Sequence, residues 1–218
     1  MNKIEKFLKV CYNEGMIIES ISLKSKRNPN IFNVETDVGI FELHSDSIVK
    51  NAIKLGEIDD ETFYKSVQES SEIIAFNLCV KYISSRLKTE KQIKDYLYKH
   101  DYKKSTVESV LEKLKNYGIV DDKIYAESYI KSNSNFSKNK VKQKLMQAGV
   151  KSENFDEQIC EIDDLTSCIK HAEKFFKNKE INKQNLEKLI RRLSGMGYGW
   201  DTIKNVLNKL KIDTEDEM

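Results

Sequence analysis

Apolar positions in the second two-thirds of the chain recur with a fixed long period. From Ile93 onward, apolar or aromatic residues fall at Leu97, Tyr102, Val107, Val110, Leu111 and Leu114. The same offsets 48 residues later give Val141, Leu145, Val150, Phe155, Gln158, Ile159 and Ile162. Another 48 residues give Leu189, Leu193, Tyr198, Ile203, Val206, Leu207 and Leu210. Gln158 is the one polar member. In each copy the first two positions, four apart, share a face of a short helix. The last four follow the i, i+3, i+4, i+7 stripe of an amphipathic helix.

The residues between these stripes read as punctuation. Asp101, Gly149 and Gly197 each stand one residue before the third apolar position. A helix commonly stops there on a left-handed residue, which Gly adopts freely and Asp tolerates. Thr89 with Gln92, and Ser105 with Glu108, have capping-box spacing at two helix starts. Further helices over about 71–86, 121–132 and 164–178 complete three units of three helices. The junction Tyr117-Gly118-Ile119-Val120-Asp121-Asp122 supplies Gly118 to end one helix and Asp121 to cap the next.

Before residue 71 the pattern differs. Ile17–Leu23 and Ile31–Thr36 are rich in β-branched residues, and Ile40–Leu43 alternates. The single proline, in Arg27-Asn28-Pro29-Asn30, signals a turn between the first two runs. Short helices are expected after Ser45 and from a cap at Asp59 or Asp60. The expected fold is therefore mainly α. Three tandem three-helix repeats of period 48 form a helical array behind a small N-terminal α+β domain, a β-meander of about three strands plus short helices. The expected boundaries are 1–70, 71–120, 121–163 and 164–218, the last ending in the acidic tail Asp213–Glu217.

Composition narrows the function. Charged residues make up 33% of the chain, yet the net charge is only +2. A protein living by phosphate contacts alone carries a larger basic excess. No stretch has the length and apolarity of a signal peptide or membrane span, so a cytoplasmic protein, with no membrane partner, is expected. Cys11, Cys79, Cys160 and Cys168 show no paired spacing, and His44, His100 and His171 no ligand spacing, so reduced thiols and no metal are expected. Gly195-Met196-Gly197-Tyr198-Gly199 resembles a phosphate loop only superficially, because its glycines follow a helix. Asp121-Asp122 could suggest a metal pair, but helix capping accounts for it more simply. No nucleophile signature is present. Neither catalysis nor a cofactor is expected.

Lysines carry the remaining signal. Residues 131–152 contain Lys131, Lys138, Lys140, Lys142, Lys144 and Lys151 without an acid, and Arg86 opens a second basic stretch. Any one lysine is explained by an exposed helix face. As a cluster they predict a docking surface for an anionic partner, either acidic protein or nucleic-acid backbone. Tyr125 and Tyr129, four apart, read as core residues.

Taken together, Ser85-Arg86, Thr89-Glu90, Ile93, Leu97, Val110-Leu111, Leu114, the run Tyr117–Asp122, Tyr125-Ala126, Tyr129-Ile130 and Gly149-Val150 resemble the RecX family of recombinase regulators over nearly the whole chain. Gly118 to Ala126 is the most specific piece. Asp101 departs from the family's usual glycine, and Asn133 from its usual basic residue. The resemblance implies a non-catalytic regulator lying in the groove of the RecA filament on single-stranded DNA. It would modulate, mostly inhibit, ATP hydrolysis, strand exchange and filament growth. Arg86, Lys131, Lys138, Lys140, Lys142 and Lys144 are the expected partner contacts, with Gly118, Asp121, Asp122 and Tyr125 as the structural motif. A monomer is expected. A helix-turn-helix-like nucleic-acid module, with direct DNA contact, is the alternative.

Overall fold

A computed structural model of the protein describes residues 15–215. The chain divides into two units. One comprises Met1–Arg86 with Ile93–Ile119, the other Leu87–Gln92 with Val120–Met218.

In the first unit, β1 (Met16–Ser25), β2 (Asn28–Thr36) and β3 (Gly39–His44) form the expected antiparallel meander. Alternation sets its faces: Met16 and Ile18 are buried while Ile17 between them is exposed. Two expectations need correction. The first turn is Lys26-Arg27, and Pro29 lies inside β2. Register shifts between Leu23 and Ser25 on the facing strand, and such an irregularity accommodates a residue with no N–H to give the ladder. The sheet also has a fourth strand, β4 (Gly56–Ile58), paired with Met16–Ile18, so the order is β3-β2-β1-β4. Three residues are too few to show a period of two.

Helix α1 (Ser45–Lys50) follows β3, and α2 (Asp60–Ile83) follows β4. Asp59 caps α2 by accepting from Thr62 N–H at 2.9 Å. α2 is 24 residues long, so the short helix expected near Asp60 and the helix expected over 71–86 are one continuous element. Its polar Ser66 and Ser70 are buried: Ser66 Oγ donates to the Thr62 carbonyl, and Ser70 Oγ accepts from His44 N–H at 2.9 Å. Phe63 fills the core with Met16, Ile18, Val34, Leu43 and Ile53. Its ring meets Phe41 edge-on at 5.1 Å.

Helices α3 (Glu90–Lys99) and α4 (Lys104–Asn116) follow. The Thr89–Gln92 capping box forms reciprocally, at 3.2 and 3.3 Å. The Ser105–Glu108 box does not. α4 begins at Lys104 with Lys103 as its uncapped start, and Glu108 pairs with Lys104 at 3.7 Å instead. Glu72 ties α2 to α4, accepting from Lys113 at 2.6 Å and Ser109 at 2.8 Å.

The second unit contains α5 (Asp122–Ser132), α6 (Lys138–Gln147), a 3-10 turn (Ser152–Asn154), α7 (Asp156–Cys160), α8 (Asp164–Phe176), α9 (Lys183–Gly195) and α10 (Trp200–Glu215). Ala126, Val141, Leu145, Val150, Phe155 and Ile159 form one cluster, with Tyr125 and Tyr129 packed against it as core residues. Cys168, Ala172, Leu189, Leu193, Tyr198, Ile203 and Val206 form the other. The striped helix expected around Phe155–Ile162 is reduced to the turn and the five-residue α7. Of the expected acidic tail, the backbone of Asp213–Glu215 closes α10. Glu217 and its neighbours from residue 216 lie outside the described residues, as does Cys11.

Candidate functional site

α1 ends at the left-handed Ala52 (φ 50°), whose N–H donates to Val49 O while Ile53 N–H donates to Ile48 O, and four later helices end in the same way. Asp101, Gly118, Gly149 and Gly197 have φ of 61°, 65°, 89° and 89°. After each, two N–H groups turn back onto the helix. Gly149 N–H donates to Met146 O and Val150 N–H to Leu145 O; Gly197 and Tyr198 repeat this on Ser194 and Leu193; Asp101 and Tyr102 on Tyr98 and Leu97; Gly118 and Ile119 on Lys115 and Leu114. These paired bonds satisfy carbonyls the helix leaves open.

Two of these ends receive the start of an earlier helix, and both such contacts lie within the second unit. Thr89 Oγ1 donates to the Ala148 carbonyl at 2.6 Å. Ser137 Oγ donates to the Gly197 carbonyl at 2.6 Å. Lys91 Nζ donates to Gln147 O at 3.3 Å, and Lys140 Nζ donates to Gly195 O. Close approach is what the glycines permit. A Cβ on Gly149 would lie 2.5 Å from Lys91 Cβ, and one on Gly197 would lie 2.6 Å from Lys140 Cβ. Asp101 is exposed, and there a side chain is tolerated.

The double aspartate divides its labour. Asp121 Oδ1 accepts from Lys123 and Ile124 N–H at 2.7 and 3.1 Å, capping α5. Asp122 Oδ1 reaches back to Glu90 N–H at 2.9 Å, at the start of α3. Asp163-Asp164 repeats the device. Asp163 Oδ1 caps α8 through Leu165 and Thr166 N–H, at 2.9 and 3.2 Å, and Asp164 Oδ1 accepts from Lys138 N–H at 2.8 Å. Hydrogen bonds from Thr166 and Leu165 hold the Asp163 carboxyl below its usual value. Sequence reasoning passed over this second doublet. Its signal was the repeated dipeptide, displaced from the 48-residue period because α7 is short.

The expected lysine cluster is not one patch. On α6, Lys138 and Lys142 flank one edge of the buried Val141–Leu145 stripe, and Lys140 and Lys144 flank the other. Lys140 is half-buried, its ammonium at the end of α9 and 4.6 Å from the centre of the Phe136 ring. Lys142 pairs with Asp156 at 3.1 Å, and Lys144 donates to Gln147 at 3.2 Å. Lys131 and Lys138 are exposed, without an ion pair among the described residues. Arg86 is exposed after the end of α2 in the other unit. Tyr125 stacks on Tyr129 at 6.2 Å, and burial pushes the Tyr129 phenol up.

Cys79 and Cys168 are buried and their thiols pushed up to about 11, which makes them poor nucleophiles; Cys160 is exposed. Among the described residues, no group of three or more His, Cys, Asp or Glu side chains could hold a metal ion. No helix of the described residues is long and apolar enough to cross a membrane.

A mostly helical chain with a four-stranded antiparallel sheet at its N-terminus, its helix ends tied by side chains to distant carbonyls, defines a mainly α-helical protein class. The family model for the first three-helix domain of RecX matches residues 75–114. The regulatory protein RecX of Clostridium perfringens strain 13 is 32% identical over 88% of this chain and 95% of its own length. That of Streptococcus uberis is 30% identical over 89% of this chain and 78% of its own. A crystal structure of regulatory protein RecX superposes with a TM-score of 0.60 at 20% identity, covering 88% of this chain and 99% of that one. The RecX structure from Lactobacillus salivarius gives 0.55 at 21% identity, over 65% and 97%. The chain belongs to the RecX family.

Proposed function

We propose that this chain is a non-catalytic regulator that binds in the groove of the RecA recombinase filament on single-stranded DNA. It modulates, chiefly by inhibition, the filament's ATPase, strand exchange and growth. The observation that carries this reading is the family likeness, which spans 95% of a relative called regulatory protein RecX. The reading includes three tandem three-helix repeats, over 71–120, 121–163 and 164–218, behind an N-terminal domain over 1–70, with α2 running across the first of these boundaries. The recurrence of one helix ending at the 48-residue spacing, at Asp101, Gly149 and Gly197, supports that period. It also includes a cytoplasmic monomer that uses no cofactor. Arg86 and Lys131, Lys138, Lys142 and Lys144 are the contacts proposed for the filament or its DNA backbone, while Lys140 serves chiefly the junction with α9.

The test adds the protein to RecA on single-stranded DNA and follows ATP hydrolysis and strand exchange. Unchanged rates at stoichiometric amounts reject the reading. A second reading, a helix-turn-helix-like DNA-binding module, is favoured by the exposed Lys131 and Lys138. It predicts affinity for naked DNA that falls steeply with salt. Weak binding to naked DNA beside tight binding to the filament removes it.

A further inference from the structure

The first unit contains a cleft of about 380 Å³ that the regulator reading leaves without a role. Its walls come from four segments: the β1–β2 turn with the strand residues beside it, Glu42 and His44 of β3, the C-terminal half of α2, and Tyr102, which follows the left-handed end of α3. Ile74 and Leu78 of α2, with Tyr102, supply an apolar and aromatic wall. All three are only half-buried, so they keep surface for a ligand. Tyr102 is held in place by its own N–H, which donates to Leu97 O in the bonding that ends α3.

Charge in the cleft is unbalanced. Lys24, Arg27 and Lys81 line it against one acid, Glu42. Glu42 is already matched, because Lys24 Nζ donates to its carboxylate at 2.5 Å. That pairing leaves Arg27 and Lys81 as surplus cations, with no ion pair among the described residues. Asn28, Asn30 and Asn77 add amides that both donate and accept. The combination is specific in kind: an apolar wall able to hold a flat body, two surplus cations including a guanidinium suited to bidentate contact with phosphate, and neutral polar groups for orientation.

We infer that this cleft binds a small organic phosphate of mononucleotide size, its planar part against Tyr102, Ile74 and Leu78 and its phosphates on Arg27 and Lys81. The volume lies within the range of small-ligand sites, which supports a discrete ligand over a long polymer. A bare phosphate would use the cations alone and forgo the wall.

Titration calorimetry on the full chain tests this with ADP, adenosine and pyrophosphate as separate probes. ADP should bind saturably, and adenosine and pyrophosphate each at least about tenfold more weakly, since each lacks one half of the contact. Arg27→Gln combined with Lys81→Gln should weaken ADP by about tenfold or more. Both positions are exposed, so folding should survive, and an unchanged thermal midpoint without ligand checks that it does. Lys188→Gln, an exposed position in the other unit, should leave ADP binding as it was. Absence of saturable ADP binding, ADP affinity unchanged in the double variant, or pyrophosphate binding as tightly as ADP would each overturn the proposal. The regulator reading is judged separately, by effects on the filament.

Discussion

Ser137 Oγ donates to the carbonyl of Gly197, 60 residues away in sequence, at 2.6 Å. The same hydroxyl accepts from Lys140 N–H at 3.3 Å, so one buried group caps its own helix and fastens the end of another. Thr89 does the same between Gln92 N–H and Ala148 O. Loss of such a group removes a cap and leaves a carbonyl without its donor. Ser137→Ala and Thr89→Ala should each cost about 1–2 kcal/mol. Urea unfolding checks this, and a midpoint shift no larger than that of an exposed control such as Ser132→Ala would contradict the double role.

The positive-φ residues should rank by what approaches them. Gly118→Ala meets nothing within 4 Å and bears only the left-handed backbone penalty, about 1–2 kcal/mol. Gly149→Ala and Gly197→Ala add an overlap with a Cβ that cannot rotate away, worth about 1–3 kcal/mol more. Asp101→Gly relieves the same backbone strain at an exposed site and should stabilise by about 1 kcal/mol. Equal costs for Gly118→Ala and Gly197→Ala in denaturant titrations would mean that the close approach carries no energy.

What the sequence revealed, and what it hid, follows from range. Asp101, Gly149 and Gly197 could be placed from local pattern because a helix stop is decided within a few residues. The Thr89–Gln92 box and the Asp121 cap are local in the same sense. β4 was invisible because Gly56–Ile58 gains strand character only from pairing with Met16–Ile18. Ser66 and Ser70 carry no apolar signal near the expected boundary at residue 70, yet packing buries both inside α2. Ser105 resembled a cap, but α4 starts one residue earlier. The helix-end ties escaped for the opposite reason. Thr89 and Ala148 are 59 residues apart, and no spacing rule links a hydroxyl to a carbonyl at that distance. The lysine positions were legible as residues but not as a surface, since their distribution about α6 depends on which face Val141 and Leu145 bury.

His171 gives the protein a stability term that depends on pH. Burial, and secondarily the charge of Arg192, holds its imidazole below the ordinary value, while the Asn135 carbonyl pulls weakly the other way. The unfolded chain therefore takes up the proton at a higher pH than the folded one. Stability from this group is present above the unfolded value and is lost as pH falls towards the folded one. Urea midpoints should decline between pH 7.5 and 5.5, and His171→Gln should flatten part of that decline. Equal slopes in variant and parent would remove His171 as the source.

Lys138 and Lys140 lie two residues apart on α6 but should behave as different kinds of residue. Lys140 runs beside the Phe136 ring to the Gly195 carbonyl, so its ammonium stabilises the open end of α9. Lys140→Met keeps the apolar stem and removes the charge. It should lower stability by about 0.5–1 kcal/mol, readable as an earlier urea midpoint. Lys138 fixes its position through backbone N–H to Asp164, and its exposed ammonium is dispensable for the fold. Lys138→Glu with Lys131→Glu should leave the midpoint within about 0.5 kcal/mol while, on the proposed regulator reading, weakening the inhibition of RecA ATP hydrolysis. The two measurements cross-check each other. If Lys140→Met unfolds like the parent, its bond to α9 is incidental; if the Lys131 and Lys138 changes leave ATPase inhibition intact, the contact surface lies elsewhere. A variant changing all the α6 lysines together would merge the loss of the α9 contact with the loss of the exposed charges.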